Sequence, residues 1–220
     1  MRRFAFVLGI IYVLSPQASS EPDHLLPATR SYDRAYFDLL NRKLATTPFN
    51  CGRILVRPPF TGEYSISIYG KATQNRFFQH HITMRIAEEN LWQASLGGID
   101  PTKAEGVKIN QADIFITPEV AELLRNVLMA IINETRPLGT EKPRKIVIEG
   151  PITELMITGL DGKLEIGQMG TFPPTAPKLS LLAKLIVNLR RLCQAPTSER
   201  AHLIAEVTRN ADALRQQIGQ

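Results

Sequence analysis

Residues 145–170, KIVIEGPITELMITGLDGKLEIGQMG, form the most strongly patterned part of the sequence. Asp161-Gly162 within this stretch predicts a hairpin, because a two-residue type I′ turn needs positive φ at both central positions and these residue types tolerate it. Folding the chain about this pair places Ile157 opposite Ile166. Since side chains alternate along a strand, one apolar face is expected, made of Leu155, Ile157, Leu164 and Ile166. With the short alternating run over residues 145–149, the stretch predicts three antiparallel strands with one solvent-facing side.

Three further alternating runs precede this hairpin, over residues 53–57, 63–69 and 76–86. Short segments that contain proline or glycine separate these runs, and such spacing is typical of strands joined by turns. The pattern therefore predicts an antiparallel meander, followed by another short strand around residues 112–116.

Apolar residues recur every three or four positions in four other segments, which predicts helices. The first spans residues 33–44, and the second begins at Thr117-Pro118-Glu119, where Thr117 is expected to cap it with its hydroxyl. The last two span residues 177–194 and 197–217, and the final helix is expected to be the most peripheral. Helices that precede, interrupt and follow runs of strands indicate an α+β fold, in which helices pack on one face of an antiparallel sheet.

The first 20 residues have the features of a secretory signal peptide. Arg2-Arg3 supplies a positive start, residues 4–14 are apolar, and Ala18-Ser19-Ser20 offers small side chains at a cleavage point. An apolar run this short does not span a bilayer. The sequence predicts a secreted or periplasmic protein that is cleaved near Ser20, with residues 21–220 forming a single domain. A buried helix or a membrane anchor is the alternative reading of this run.

Composition and charge narrow the classes of partner. The chain is 44% hydrophobic and 21% charged, as expected of a globular protein, and removal of residues 1–20 lowers its net charge from +5 to +3. This mild excess favours anionic envelope polymers or lipid headgroups and is too small for a nucleic-acid-binding surface. No later apolar run is long enough for a transmembrane segment.

The sequence contains two cysteines, Cys51 and Cys193, and both lie beyond the predicted signal peptide. In an exported chain such a pair predicts a disulfide. Closing so long a loop would stabilise the fold by roughly 4–5 kcal/mol in the chain-entropy model. Two separate buried thiols are the alternative. Without a Cys-x-x-Cys motif, redox catalysis is not expected.

No motif in the sequence indicates catalysis, a metal or a cofactor. His80 and His81 are adjacent on a predicted strand, so their side chains point to opposite faces and cannot readily share one ion. No histidine or cysteine spacing typical of a zinc site occurs, and the nucleophile elbow of hydrolases is absent. Neither a metal nor a cofactor is therefore expected.

A patch of aromatic and basic residues is the best candidate for binding. Phe77 is expected to project from the sheet on the side opposite Phe78, beside Tyr69 on the polar face of the preceding strand. His81 and Arg85 alternate along that same polar face. These residues are predicted to contact a ligand or a partner unless a helix also covers this side of the sheet.

The sequence thus predicts a non-catalytic binding module of the cell envelope, whose partner is an envelope polymer or another protein. The alternative is a small exported hydrolase with a site assembled from His81, Glu63 and Arg85. A hydrolase requires a concave site with titratable groups in hydrogen-bond reach, whereas a binding module can present a flat surface.

Overall fold

A computed structural model describes residues 23–28, 34–45, 52–72, 78–137, 151–158, 162–170, 174 and 176–219. The strands within these ranges are β1 (Leu26–Pro27), β2 (Arg53–Arg57), β3 (Tyr64–Ala72), β4 (Phe78–Ala87), β5 (Ile109–Ile116), β6 (Ile152–Thr158) and β7 (Leu164–Met169). The helices are α1 (Arg34–Leu44), α2 (Leu91–Ala94), α3 (Pro118–Asn133), α4 (Pro177–Gln194) and α5 (Thr197–Ile218), with a 3-10 helix at Pro101–Ala104. The strand predicted over residues 145–149 lies outside the described residues.

The strands form one antiparallel sheet in the order β1-β7-β6-β2-β3-β4-β5. Consecutive pairing from β2 to β5 confirms the predicted meander and adds a fourth strand to it. Pairing of β2 with β6 then joins the meander to the β6–β7 hairpin. Helices pack against this sheet, so the predicted α+β fold is confirmed.

The main core lies between one face of the sheet and α3, α4 and α5. Ile54, Ile66 and Ile82 supply the sheet side and are almost fully inaccessible to solvent. The helices present the apolar stripes that their three- and four-residue spacing predicts. In α5, Val207 and Leu214 belong to this core, and the helix packs on α3 and α4.

Helix boundaries follow the sequence signals closely. α3 begins at Pro118 with Glu119 in its first turn, and α4 runs from Pro177 to Gln194 as predicted. Thr117 occupies the N-cap position with an extended backbone, but its side chain makes no capping hydrogen bond. The rigid ring of Pro118 and the acidic side chain near the positive end of the helix dipole remain as start signals.

The register of the β6–β7 hairpin differs from the prediction by one residue. Met156, rather than Ile157, lies opposite Ile166, and the last pair joins Thr158 to Leu164. Five residues therefore separate the strands, where a two-residue turn was expected. A one-residue slip moves a side chain to the opposite face of the sheet. Consequently Ile157 packs in the main core while Ile166 packs with Met156 on the other side, and the prediction that they share a face is wrong.

The second face of the sheet, expected to be solvated, is largely covered. α1 places Tyr36, Leu39 and Leu40 over Leu55 and Met156 to form a second apolar cluster. Several polar side chains of this face are also buried: Glu63, Ser65, Ser67 and Thr83. Because β2 and β6 carry large apolar side chains on both faces, a one-sided core would leave one set in water.

Charged residues of β2 and β6 are removed from solvent: Arg53 and Glu154 are buried, and Arg57 is partly buried. Arg57 donates a hydrogen bond of 2.7 Å from Nη2 to Glu154 Oε1, and Arg53 donates one of 2.9 Å from Nη1 to Asn41 Oδ1. Burial lowers the pKa of Arg53 to about 10, an effect that the nearby negative charge of Glu154 opposes. The charges of Arg53 and Glu154 are both removed from water, so each depends on the other for compensation.

We predict that Glu154→Gln lowers the free energy of unfolding by about 3–5 kcal/mol, since removing one partner leaves buried charge uncompensated. Urea denaturation followed by circular dichroism measures the change. The matched control is Glu122→Gln on the exposed side of α3, for which a change within about 0.5 kcal/mol is expected. Equal stability of the two variants would contradict a role for Glu154 in compensating the arginines.

Candidate functional site

The pairing of β3, β4 and β5 brings three rings into one row on the second face of the sheet. Tyr69 lies opposite His81, and His81 lies opposite Phe115. In the adjoining row Thr83 lies opposite Asp113. Directly opposed residues of antiparallel strands project to the same side. We call these five residues the β3–β5 surface.

The His81 ring contacts both of the other rings. Tyr69 and His81 stack, with ring centroids 5.5 Å apart and an interplanar angle of 17°. Phe115 meets the edge of His81 at 6.0 Å and 83°. The Phe115 side chain is 58% exposed, although it lies on a strand whose neighbours Ile114 and Ile116 are buried. The row therefore ends in the accessible phenyl ring of Phe115, which contacts the ring of His81.

Asp113 fixes the polar part of the surface. Its Oδ1 accepts a hydrogen bond of 2.5 Å from the Thr83 hydroxyl, and its Oδ2 lies 3.2 Å from Nδ1 of His81. The carboxylate remains partly exposed, whereas Thr83 is buried. Asp113 is thus held in one orientation while part of it still faces solvent.

Arg85 lies beside this surface, and its guanidinium group makes hydrogen bonds within the fold. Its Nη1 donates a hydrogen bond of 3.0 Å to the Ala45 carbonyl at the end of α1, and its Nε donates one of 3.2 Å to Gln111 Oε1 on β5. Arg85 therefore ties α1 to the edge of the sheet.

The structure brings together three of the four residues singled out from the sequence. Tyr69 and His81 are in contact, Arg85 is on the same face, and Phe77 lies outside the described residues. Sequence reasoning missed Phe115 and Asp113. The alternation of residues 113–116, with Ile114 and Ile116 on one side and Asp113 on the other, carried the signal that Phe115 would project outward.

Glu63, assigned to the alternative hydrolase site, supports the fold instead. Its carboxylate accepts a 2.7 Å hydrogen bond from the Tyr36 hydroxyl and bonds of 2.6 and 3.0 Å from the backbone N–H groups of Leu91 and Trp92. It lies just before β3, close to Ala87 at the end of β4, whereas His81 lies towards the other end of that strand. His81 and Glu63 are therefore not assembled into one site.

The β3–β5 surface also lacks the order of contacts that nucleophilic catalysis requires. A hydroxyl nucleophile must bond to the base, and the base to an orienting group. Here the Thr83 hydroxyl bonds to Asp113, and it is buried. The arrangement is suited to holding a fixed carboxylate beside aromatic rings.

Two neighbouring cavities of about 340 and 370 Å³ lie at the end of α3, away from this surface, and share Asn133 and Thr135. The charged groups that line the first are already paired: Lys178 Nζ lies 2.6 Å from Glu134 Oε2, and Arg136 Nη2 lies 3.2 Å from Asp23 Oδ1. The first cavity therefore presents balanced charge, and the second adds the Glu165 carboxylate.

Within the described ranges, no three histidine, cysteine or acidic side chains are grouped as metal ligands. None of the helices described there combines the length and the apolar character needed to cross a bilayer. In comparisons with known proteins, no family model, no curated protein and no solved structure matches the chain.

Cys193 is a free, buried cysteine of α4, and the predicted disulfide with Cys51 is not present. Cys51 itself lies outside the described residues. Burial raises the pKa of the Cys193 thiol to about 12, because the apolar surroundings disfavour the thiolate. The side chain behaves as a small apolar core residue, the alternative that the sequence left open.

We predict that Cys193 resists thiol reagents until the protein unfolds. A pKa near 12 leaves roughly a thousandfold less thiolate at pH 8 than an ordinary cysteine has, and burial adds a steric barrier. Labelling of a Cys51→Ser variant, with and without denaturant, isolates this thiol and measures the difference. Rapid labelling of the native variant, or a Cys51–Cys193 bridge in the parent protein, would contradict the buried free thiol.

Proposed function

We propose that this protein is a non-catalytic binding module of the cell envelope that holds an extended, sugar-containing polymer on the β3–β5 surface. The observation that carries the proposal is the row formed by Gln111, Asp113 and Phe115. All three are exposed and occupy alternate positions on one face of β5, the last strand of the sheet. Predicted export would bring this surface into contact with envelope polymers.

The chemistry of this row matches that of a sugar chain. A sugar ring has an apolar face of C–H groups and a rim of hydroxyls. Phe115 offers an aromatic surface for the former, while Asp113 accepts hydrogen bonds and Gln111 both donates and accepts them. Alternate side chains on a strand are about 7 Å apart, so the row spans about 14 Å and several linked units.

Contacts within the β3–β5 surface hold its side chains in place in the absence of a ligand. Thr83 orients Asp113 through a hydrogen bond, and the stacked rings of Tyr69 and His81 support Phe115. Fewer rotamers are then lost on binding, which lowers the entropic cost of association. This preorganisation favours binding through side chains that already hold their bound positions.

The exposed side chains along β5 do not form a concave pocket, which favours a polymer over a small molecule. Sites for small ligands are usually concave and enclose most of the ligand. The cavities at the end of α3 are of suitable size but lie elsewhere, and the charges that line the first are already paired. The hydrolase alternative loses support because Glu63 is engaged by α1 and α2.

We expect Phe115→Ala to weaken binding to the recognised polysaccharide about tenfold or more, since truncating an aromatic anchor typically costs more than 1 kcal/mol. Affinity electrophoresis through gels containing peptidoglycan fragments or other envelope glycans measures the effect. Because Phe115 is exposed, the melting temperature of the Phe115→Ala variant should match that of the parent protein.

Val187→Ala, at another exposed apolar side chain, is the matched control and should leave glycan retention unchanged. The proposal fails if the parent protein is retarded by no glycan. It also fails if Phe115→Ala and Val187→Ala are retarded equally.

A further inference from the structure

A second exposed surface lies at one end of the sheet. Four large apolar side chains project there, with exposed fractions of 79% for Phe60, 83% for Ile99, 52% for Leu96 and 41% for Trp92. We call these four residues the apolar loop end. Groups of exposed apolar residues on soluble proteins usually mark a contact with a partner or a membrane.

The four side chains come from two connections that emerge side by side. Phe60 belongs to the β2–β3 turn, and the others belong to the β4–β5 connection. Both connections leave the sheet at the end where Tyr64 pairs with Ile86. The Asn90 side chain fastens them together, since its Nδ2 donates hydrogen bonds of 3.2 and 2.9 Å to the carbonyls of Pro58 and Thr61.

The loop end is built rigidly. Trp92 packs edge-on against Tyr36, with ring centroids 4.9 Å apart. Gly98, at φ +86°, lies so close to the indole that a Cβ there would come within 2.7 Å of it. Leu96 adopts φ +53°, a left-handed conformation that is uncommon outside glycine. The Glu63 carboxylate accepts hydrogen bonds from the backbone N–H groups of Leu91 and Trp92 and so fixes the start of this segment.

No charged residue occurs in either tip. Residues 58–62 (PPFTG) and 91–99 (LWQASLGGI) are entirely uncharged. Exposed charges of both signs flank them, including Glu88, Glu89 and Lys103. A charged side chain is costly in the apolar layer of a bilayer, so this distribution suits a tip that enters the layer while its base stays in water. The mixed signs at the base give no preference for anionic headgroups.

The size of the surface argues against a protein partner or a second copy of the chain. A large side chain offers roughly 150–250 Å², so the exposed fractions leave about 500 Å² of contact area. Stable protein interfaces bury about 800 Å² on each side. Reversible attachment to a lipid surface needs only a few inserted apolar groups, and the indole of Trp92 suits the headgroup boundary.

From these observations we infer that the apolar loop end inserts into the interface of a phospholipid bilayer and attaches the protein peripherally. Zwitterionic lipid is sufficient for this attachment. The β3–β5 surface lies towards the opposite end of the strands, so it remains accessible in the attached protein. The inference is independent of the function proposed for that surface.

Trp92 is the only tryptophan of the chain, so its fluorescence reports on this site alone. Residues 21–220, without the N-terminal apolar run that would itself bind lipid, are mixed with phosphatidylcholine vesicles, and emission, quenching by brominated acyl chains and vesicle flotation are recorded. We expect a blue shift, quenching and co-flotation.

Phe60→Ser and Ile99→Ser should each lower the partition coefficient about tenfold or more, because burial of one large apolar side chain favours transfer from water by about that much. The double variant should partition about a hundredfold or more weakly than the parent. Leu164→Ser, at an exposed apolar residue of β7, is the matched control and should bind as the parent does. Replacing part of the lipid with phosphatidylglycerol should change the parent's partition less than threefold.

The inference is overturned if Trp92 emission is unchanged by vesicles, or if Phe60→Ser with Ile99→Ser partitions as the parent does. Sedimentation velocity supplies a further test. A parent dimer that becomes monomeric in this double variant would identify a second copy as the occupant and overturn attachment to lipid.

Discussion

The junction of β2 and β6 is the contact on which the rest of the sheet depends, because among the described strands it is the pairing that joins the meander to the C-terminal hairpin. Glu154 lies across it, with Arg53 buried and Arg57 partly buried beside it. Buried charges cost several kcal/mol each unless they are compensated and shielded. α1 provides the shield, with Asn41 bonded to Arg53 and apolar side chains around it. The position of α1 is therefore determined by electrostatics as well as by its apolar stripe.

The two exposed surfaces both depend on α1 being in place. Towards one end, Tyr36 contacts Glu63 and Trp92 and so supports the apolar loop end. After the last turn of α1, the Ala45 carbonyl receives Arg85, which holds β5 through Gln111. One helix thus supports both the apolar loop end and the β3–β5 surface. The two surfaces are separated along the strands, so a proposed contact at one leaves the other accessible.

The sequence predicts most elements here because their periodicity is local. β2, β3 and the α4 boundaries follow from apolar spacing, which also places Tyr69 and His81 on the polar faces of adjacent strands. Asp161-Gly162 marks a turn but does not set the length of the connection, so the hairpin register was missed. Phe115 joins the site only through pairing across the long β4–β5 connection. The burial of Glu63 depends on Tyr36 and α2, which are remote in sequence, and no local pattern reports that.

β5 ends the sheet, so one side of it carries peptide groups that another chain's strand could use. Two copies meeting there in antiparallel fashion, centred on Asp113, would bring their carboxylates face to face and repel each other. The carboxylate that stands beside the aromatic row thereby also opposes edge-to-edge pairing of two copies in this register. A substitution that neutralised Asp113 would remove that repulsion and leave the edge of the sheet open to self-association.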